Sequence, residues 1–328
     1  MVIQEACPSD CRSIIAIYDE KPPVPVNSQA PADQREHYAK RFREKAGEIG
    51  FDKSLCVLVA RNDGGNLSGY LMLDLNSPDS STGERRNVIY DYGIAAGASE
   101  QAILAPLLGK AEEISHAMGI KSLIIEIPAG SEKEMDLIGE MGFSPSLHRI
   151  IKKVEHHAIR RFTPDPYRVR KASEDDGIFI LWLNSQCASF MMSHESVISR
   201  EEELRRYLTA CAELPMLDDE FLEGLIIEDT MMSKPVGYLL MKTSSRHAVT
   251  GHKLGCVQDM AIHPDYWGKR ATQRIMRVGE NLLHSRGIGY ITGDISHENQ
   301  RALKTALKSL GYQKESLWWM KRIMMREP

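Results

Sequence analysis

Two hydrophobic periods alternate along the second half of the chain. Period-two or continuous apolar runs predict strands at Tyr167–Lys171, 224–228, 236–243, 254–262, 290–295 and 316–323. Between them, apolar residues at helical spacing predict helices over 176–188, 272–286 and 299–310, with a more polar helix over 200–212. The first of these places Ile178, Leu181 and Trp182 on one face. The helix over 272–286 turns Ile275, Gly279, Leu282 and Leu283 inward and stops at Gly287; the helix over 299–310 turns Leu303, Ala306, Leu307 and Leu310 inward and stops at Gly311. The stretch 263–271 reads as a loop. A strand hairpin followed by a strand–helix–strand crossover predicts a mixed α/β (α+β) fold with a mostly antiparallel sheet.

The first half repeats this layout. Val57-Leu58-Val59-Ala60 answers Leu225-Ile226-Ile227-Glu228, and Gly69-Tyr70-Leu71 recurs as Gly237-Tyr238-Leu239, both 168 residues on. Asp91 and Asp259, Glu112 and Glu280, Gly119-Ile120 and Gly287-Ile288, and Glu126-Ile127 and Asp294-Ile295 keep the same offset. The offset drifts to 169 at Gly142-Phe143 and Gly311-Tyr312, and to 166 at Asp10 and Asp176. A repeat unit this long is a domain, not a solenoid turn. The chain is therefore expected to be two domains, 1–155 and 167–328, joined by a polar linker, 156–166, that holds His156-His157 and two prolines. The proline-rich stretch 21–34 reads as an inserted loop, and 79–87 as a polar hairpin connector.

Composition narrows the function classes. The 328 residues carry a net charge of −4, with 42% hydrophobic and 26% charged residues. That balance excludes a disordered chain and a strongly basic nucleic-acid scaffold. No apolar run reaches membrane-spanning length, and the first residues lack the pattern of a signal peptide. Six cysteines without a CxxC pair imply free thiols in a reducing compartment, so a cytoplasmic location is expected, with no metal centre. The expected partner is a small molecule rather than nucleic acid or membrane, and the chain is expected to be a monomer or homodimer.

The segment from Val257 to Tyr312 resembles the GCN5-related N-acetyltransferase (GNAT) superfamily. Ile262-His263-Pro264 stands where the family ends a strand in Val/Ile-x-Pro. Trp267-Gly268-Lys269-Arg270-Ala271-Thr272 stands at its Arg/Gln-x-x-Gly-x-Gly/Ala loop, and Asn299/Ala302 at its Asn-x-x-Ala, followed by Gly311-Tyr312. Three positions depart from the pattern: Trp267 for Arg/Gln, Arg270 for Gly and Thr272 for Gly/Ala. The resemblance implies acyl-CoA binding, with acetyl-CoA as donor. Its diphosphate would be held at the helix start by Trp267, Gly268, Lys269, Arg270, Ala271 and Thr272, helped by Asn299. The backbone of Met260, Ala261 and Ile262 would meet the pantetheine arm. A helix start offers unpaired amides and partial positive charge, and Lys269, Arg270, Arg274 and Arg277 add to it. The matching first-half loop, 95–102, has no basic residue and carries Glu100, so the first domain is expected to be a degenerate copy.

Acetyl transfer to an amine needs a neutral amine. Near pH 7, deprotonating a lysine-like amine costs about 4–5 kcal/mol, which calls for a base. Asp259, on the strand before the loop, is the first candidate, with Glu228 next and Asp294 an alternate. No tyrosine follows Asn299 where the family often places its acid; Tyr312 and Tyr290 are substitutes. His194-Glu195 is a candidate for the acceptor cleft. The expected activity is N-acetylation of a small primary amine. A non-catalytic acyl-CoA-binding protein, or a different acyl-CoA reaction on the same fold, remains the alternative.

Overall fold

A computed structural model describes residues 1–20, 34–78, 84–157, 165–191, 222–246 and 253–323. In the first half the elements are β1 (Val2–Glu5), α1 (Cys11–Glu20), α2 (Gln34–Gly47), β2 (Leu55–Arg61), β3 (Leu67–Pro78), β4 (Arg85–Ile94), α3 (Glu100–Ala117), β5 (Ser122–Pro128), α4 (Glu132–Glu140) and β6 (Ser144–Lys153). In the second half they are β7 (Tyr167–Lys171), α5 (Gly177–Met191), β8 (Leu222–Asp229), β9 (Lys234–Arg246), β10 (Lys253–Ile262), α6 (Ala271–Ser285), β11 (Tyr290–Ser296), α7 (Gln300–Ser309) and β12 (Gln313–Arg322). The expected mixed α/β layout is present. The expected helix over 200–212 and His194-Glu195 lie outside the described residues. Of the expected connector 79–87, Arg85 to Asn87 are strand.

The two compact units are not the two sequence repeats. One unit is Met1–Ser146 with Ser316–Pro328, the other Leu147–Glu315. In the first, β1, β2, β3 and β4 form an antiparallel run, β5 adds in parallel, and β12 closes the edge antiparallel to β5. In the second, β7, β8, β9 and β10 form the antiparallel run, β11 adds in parallel, and β6 closes antiparallel to β11. The boundary expected at 156–166 follows the repeat, whereas the closing strand of each unit comes from the other repeat. The start of that segment is docked in the second unit: the His157 backbone N–H donates to Asn281 Oδ1 at 2.7 Å, and Asn281 Nδ2 donates back to the His157 carbonyl.

Each closing strand carries a lysine that pairs with a helix carboxylate. Lys152 on β6 donates to both oxygens of Glu280 on α6 at 2.9 Å. Lys321 on β12 meets Glu112 on α3 at 2.5 Å. The two pairs occupy equivalent positions of the repeat, and only the first is deeply buried.

In the second unit the sheet carries two apolar faces. One packs Ile275, Met276 and Leu283 of α6 and Leu303 and Ala306 of α7 against Leu225, Leu239, Met241 and Ile291. The other packs Ile180, Leu183 and Cys187 of α5 against Ile226, Tyr238, Leu240 and Ala261. The inward residues of α6 and α7 are largely those the spacing predicts, but the face of α5 is not. Ile178 and Trp182, expected inward, are 82% and 46% exposed. The run Ile178-Phe179-Ile180-Leu181-Trp182-Leu183 is apolar around the whole helix, so periodicity does not select a face. Asn184 selects it: fully buried, it donates from Nδ2 to Asp259 Oδ2 at 2.8 Å.

Candidate active site

The site is built where β10 and β11 part. Their parallel pairing runs from Leu254↔Tyr290 to Val257↔Gly293, while β10 continues to Ile262 and β11 to Ser296. A β-bulge at Gln258 shifts the register of β10 against β9, between Val257↔Met241 and Asp259↔Leu240. Bulges turn a strand and re-aim its side chains. Beyond it, Asp259 and Ala261 face α5, and Met260 and Ile262 face α6 and α7. The same bulge recurs in the first unit at Tyr90 on β4, and β4–β5 pairing likewise ends early, at Ile89↔Ile125.

After Ile262 the chain makes a short 3₁₀ turn, Pro264–Tyr266, and enters α6. The indole N–H of Trp267 donates to the Ile262 carbonyl at 2.7 Å, fixing the loop to the strand end. Gly268 has φ +77°, open to glycine without strain. Arg270, the N-cap of α6, sits at φ +66° in the left-handed region, where a side chain costs about 1–2 kcal/mol. The family's glycine at this position suits that backbone. No side chain caps α6 and its first turn holds no acid, so amides of Ala271, Thr272 and Gln273 meet no capping side chain. Lys269 and Arg270 are exposed. Arg274, expected to add charge here, is instead paired with Asp165 at 2.9 Å. Asn299 caps α7, its Oδ1 accepting from the Ala302 N–H at 3.1 Å. In the first unit, Ser99 Oγ accepts from the Ala102 N–H at the start of α3, and Glu100 opens the helix, so one amide there is capped and a carboxylate stands beside it.

The model of the acetyltransferase (GNAT) family matches residues 182–312. The second half is a GNAT domain. The first unit repeats its strand order, an antiparallel run to which a further strand adds in parallel. Among solved structures, a GCN5-related N-acetyltransferase from Sphaerobacter thermophilus aligns over 98% of this chain and 95% of its own, at 14% identity and TM-score 0.55. A GCN5-related glucosamine N-acetyltransferase region of a fungal multi-domain β-N-acetylglucosaminidase aligns over 98% of this chain and 37% of its own, at 12% identity and TM-score 0.51. A tandem GNAT protein from the clavulanic acid biosynthesis pathway aligns over 99% of both chains, at 13% identity and TM-score 0.47. At such identities the first two likenesses speak for the fold alone. No curated sequence matches the chain. The family matched by residues 182–312 has acyl-CoA-dependent acyl transfer as its general chemistry.

The GNAT domain places its candidate carboxylates as follows. Asp259, 6% exposed, accepts on Oδ2 from the Tyr238 hydroxyl at 2.6 Å and from Asn184. Glu228 shares the α5 face but accepts from Arg170 Nε at 2.6 Å. Asp294 is held by Arg149 through Nε and Nη2 at 3.0 and 3.1 Å. The substitute acids are elsewhere. Tyr312 is buried among the α6 core residues, and Tyr290 lies opposite Leu254, where β10 and β11 are still paired.

Sequence reasoning missed a histidine pair beside this site. His148, on β6 opposite Ile295, meets His297, which follows β11, at 3.0 Å between Nε2 and Nδ1. Burial, then Lys314 and His297, push His148 down to about 4. The folded state therefore binds this proton less readily than the unfolded chain. Stability is expected to fall as pH drops from about 6.5 toward 4. In His148→Phe that fall should be shallower, as denaturant titrations at pH 7, 5.5 and 4.5 would show; parallel curves for both proteins would remove His148 as the cause.

Among the described residues no helix is long and apolar enough to cross a membrane, and no group of three or more His, Cys, Asp or Glu could hold a metal ion.

Proposed function

We propose that the GNAT domain transfers an acetyl group from acetyl-CoA to a primary amine of a small molecule, and that the first unit is a copy without transfer activity. The observation that carries this is the contrast between the two equivalent helix starts. α6 begins uncapped and basic behind parted strands, whereas α3 begins capped by Ser99 and acidic. A diphosphate is attracted to the first and repelled by the second.

The residues present fit the group. Amides from Gly268 to Thr272, with Lys269 and Arg270, would hold the phosphates, and backbone of Met260 and Ala261 would meet the pantetheine arm. The Ile262 carbonyl is already taken by Trp267, and the Asn299 side-chain oxygen by its own helix. Acetyl-CoA supplies an activated thioester. The chain supplies orientation and a base, Asp259, with Glu228 next in order, to take the proton of the attacking amine. One observation favours a binding role without turnover: Tyr70 also hydrogen-bonds Asp91 in the first unit, so a buried Tyr–Asp contact exists where no phosphate loop does.

Arg270→Glu should weaken acetyl-CoA binding more than tenfold, which is about 1.4 kcal/mol. Glu bears the same left-handed backbone as Arg, so strain does not change and only charge is tested. Calorimetry on the intact chain reads the dissociation constant. An unchanged constant would mean that the phosphates do not meet α6. Turnover with a panel of small amines then separates transfer from binding alone.

A further inference from the structure

We infer that Arg301, on α7, is a phosphate ligand of the acyl-CoA site, held in place by Trp267. The assignment rests on the acyl-CoA reading above. Its geometric basis is a stacked pair: the Arg301 guanidinium carbon lies 4.1 Å from the centre of the Trp267 ring. Trp267 is itself pinned by its bond to the Ile262 carbonyl. The pair therefore links the loop before α6 to the first turn of α7, the two helix starts that follow β10 and β11. At position 267 the family pattern has Arg or Gln and this chain has Trp. The polar group that position 267 lacks is matched in space by Arg301 of α7, which the Trp267 ring carries.

A second observation is electrostatic. A cation in the first turn of a helix opposes the helix dipole. Arg301 is the second residue of α7, whose first turn holds no acid. Arg270 stands at the cap of α6, whose first turn also holds none. By contrast, α3 opens with Glu100, and α4 with Glu132 and Glu134. Both helix starts beside the parted strands thus carry an exposed cation that destabilises the free protein locally. A multiply charged anion reverses the sign of both effects. Stacking leaves the planar fork of Arg301 free at its edge for two parallel bonds to phosphate oxygens, which a lysine does not offer.

The ligand class is a phosphate of the coenzyme, either the diphosphate or the ribose phosphate. Calorimetry on the intact chain with coenzyme A, dephospho-coenzyme A and pantetheine distinguishes them. Arg301→Ala is expected to weaken coenzyme A binding about tenfold, the scale of one charge-assisted bond at an exposed site, and to leave pantetheine binding unchanged. The ligand-free variant should melt at the wild-type temperature or slightly above it, because an opposed charge has gone. Arg301→Lys should fall between the two. A loss that persists with dephospho-coenzyme A assigns the diphosphate, and one that vanishes assigns the ribose phosphate. Wild-type affinity in Arg301→Ala beside weakened binding in Arg270→Glu overturns the role of Arg301 alone. Equal weakening toward pantetheine, or a lowered melting temperature, overturns it as well. A folded wild-type chain that binds no coenzyme A overturns the acyl-CoA reading and this assignment together.

Discussion

Replacing Lys152 by Met is expected to cost about 3 kcal/mol of stability, the low end of the range for removing one partner of a buried ion pair. The Glu280 side chain is 2% exposed and Lys152 is 12% exposed. Both carboxylate oxygens accept from the lysine, and His157 Nε2 lies 2.8 Å from Oε2. Without Lys152 the carboxylate stays buried with the histidine as its nearest remaining partner. Met fills the volume, so the loss reports the stranded charge rather than a cavity. Adding Glu280→Gln should recover most of it, because the charge itself is then gone. Lys321→Met, at the equivalent pair of the first unit, should cost about 1 kcal/mol or less, since Glu112 keeps 31% exposure and water can solvate it. Urea unfolding of the four proteins at pH 7 checks the series. Equal losses in Lys152→Met and Lys321→Met would show that burial does not set the strength of these ties.

The largest kinetic effect is expected from Asp259→Asn: turnover lower by about 100-fold, the lower end for losing a general base, with acetyl-CoA affinity nearly unchanged. The amide keeps an oxygen that can accept from Tyr238 and Asn184, so the buried contacts survive, but it cannot take a proton. The first unit supplies the control. Asp91→Asn alters the equivalent Tyr70 contact where no basic loop follows, and it should leave turnover alone. Steady-state rates, calorimetry and melting curves on both variants decide the case. If Asp259→Asn keeps wild-type turnover, the base is elsewhere and Glu228 is next. If both variants lose stability alike and Asp259→Asn also loses acetyl-CoA, Asp259 is a packing group.

What was legible in the sequence was local. The strands and the inward faces of α6 and α7 follow from period and from stop signals at Gly287 and Gly311. The loop before α6 was legible from Pro264 and Gly268 and from the helical spacing that follows them. The arginine at 270 shows the limit, since its left-handed backbone appears only in three dimensions. The face of α5 was misread because one polar residue, Asn184, outweighs a helix apolar on all sides. The pairings Arg301–Trp267 and His148–His297 join residues 34 and 149 positions apart, as their numbers in the chain show. A short period carries no signal for either. The one hint was negative, a tryptophan where arginine or glutamine is usual. The exchange of closing strands left no mark either, because β6 and β12 each read as the natural last strand of their own repeat.

That exchange also sets an order in time. A chain emerges from its amino end, so β6 exists before any other strand of the unit it completes, and that unit can close as soon as β11 is made. The first unit has the opposite schedule. Its β5, with Leu123, Ile124, Ile125 and Ile127 all buried in the finished fold, must wait through the synthesis of an entire second domain for β12, the last of the described strands. Until then it presents a bare apolar edge, the kind of surface that pairs with other nascent chains. The half made first is the half finished last, and translation speed across the second domain fixes how long it stays exposed.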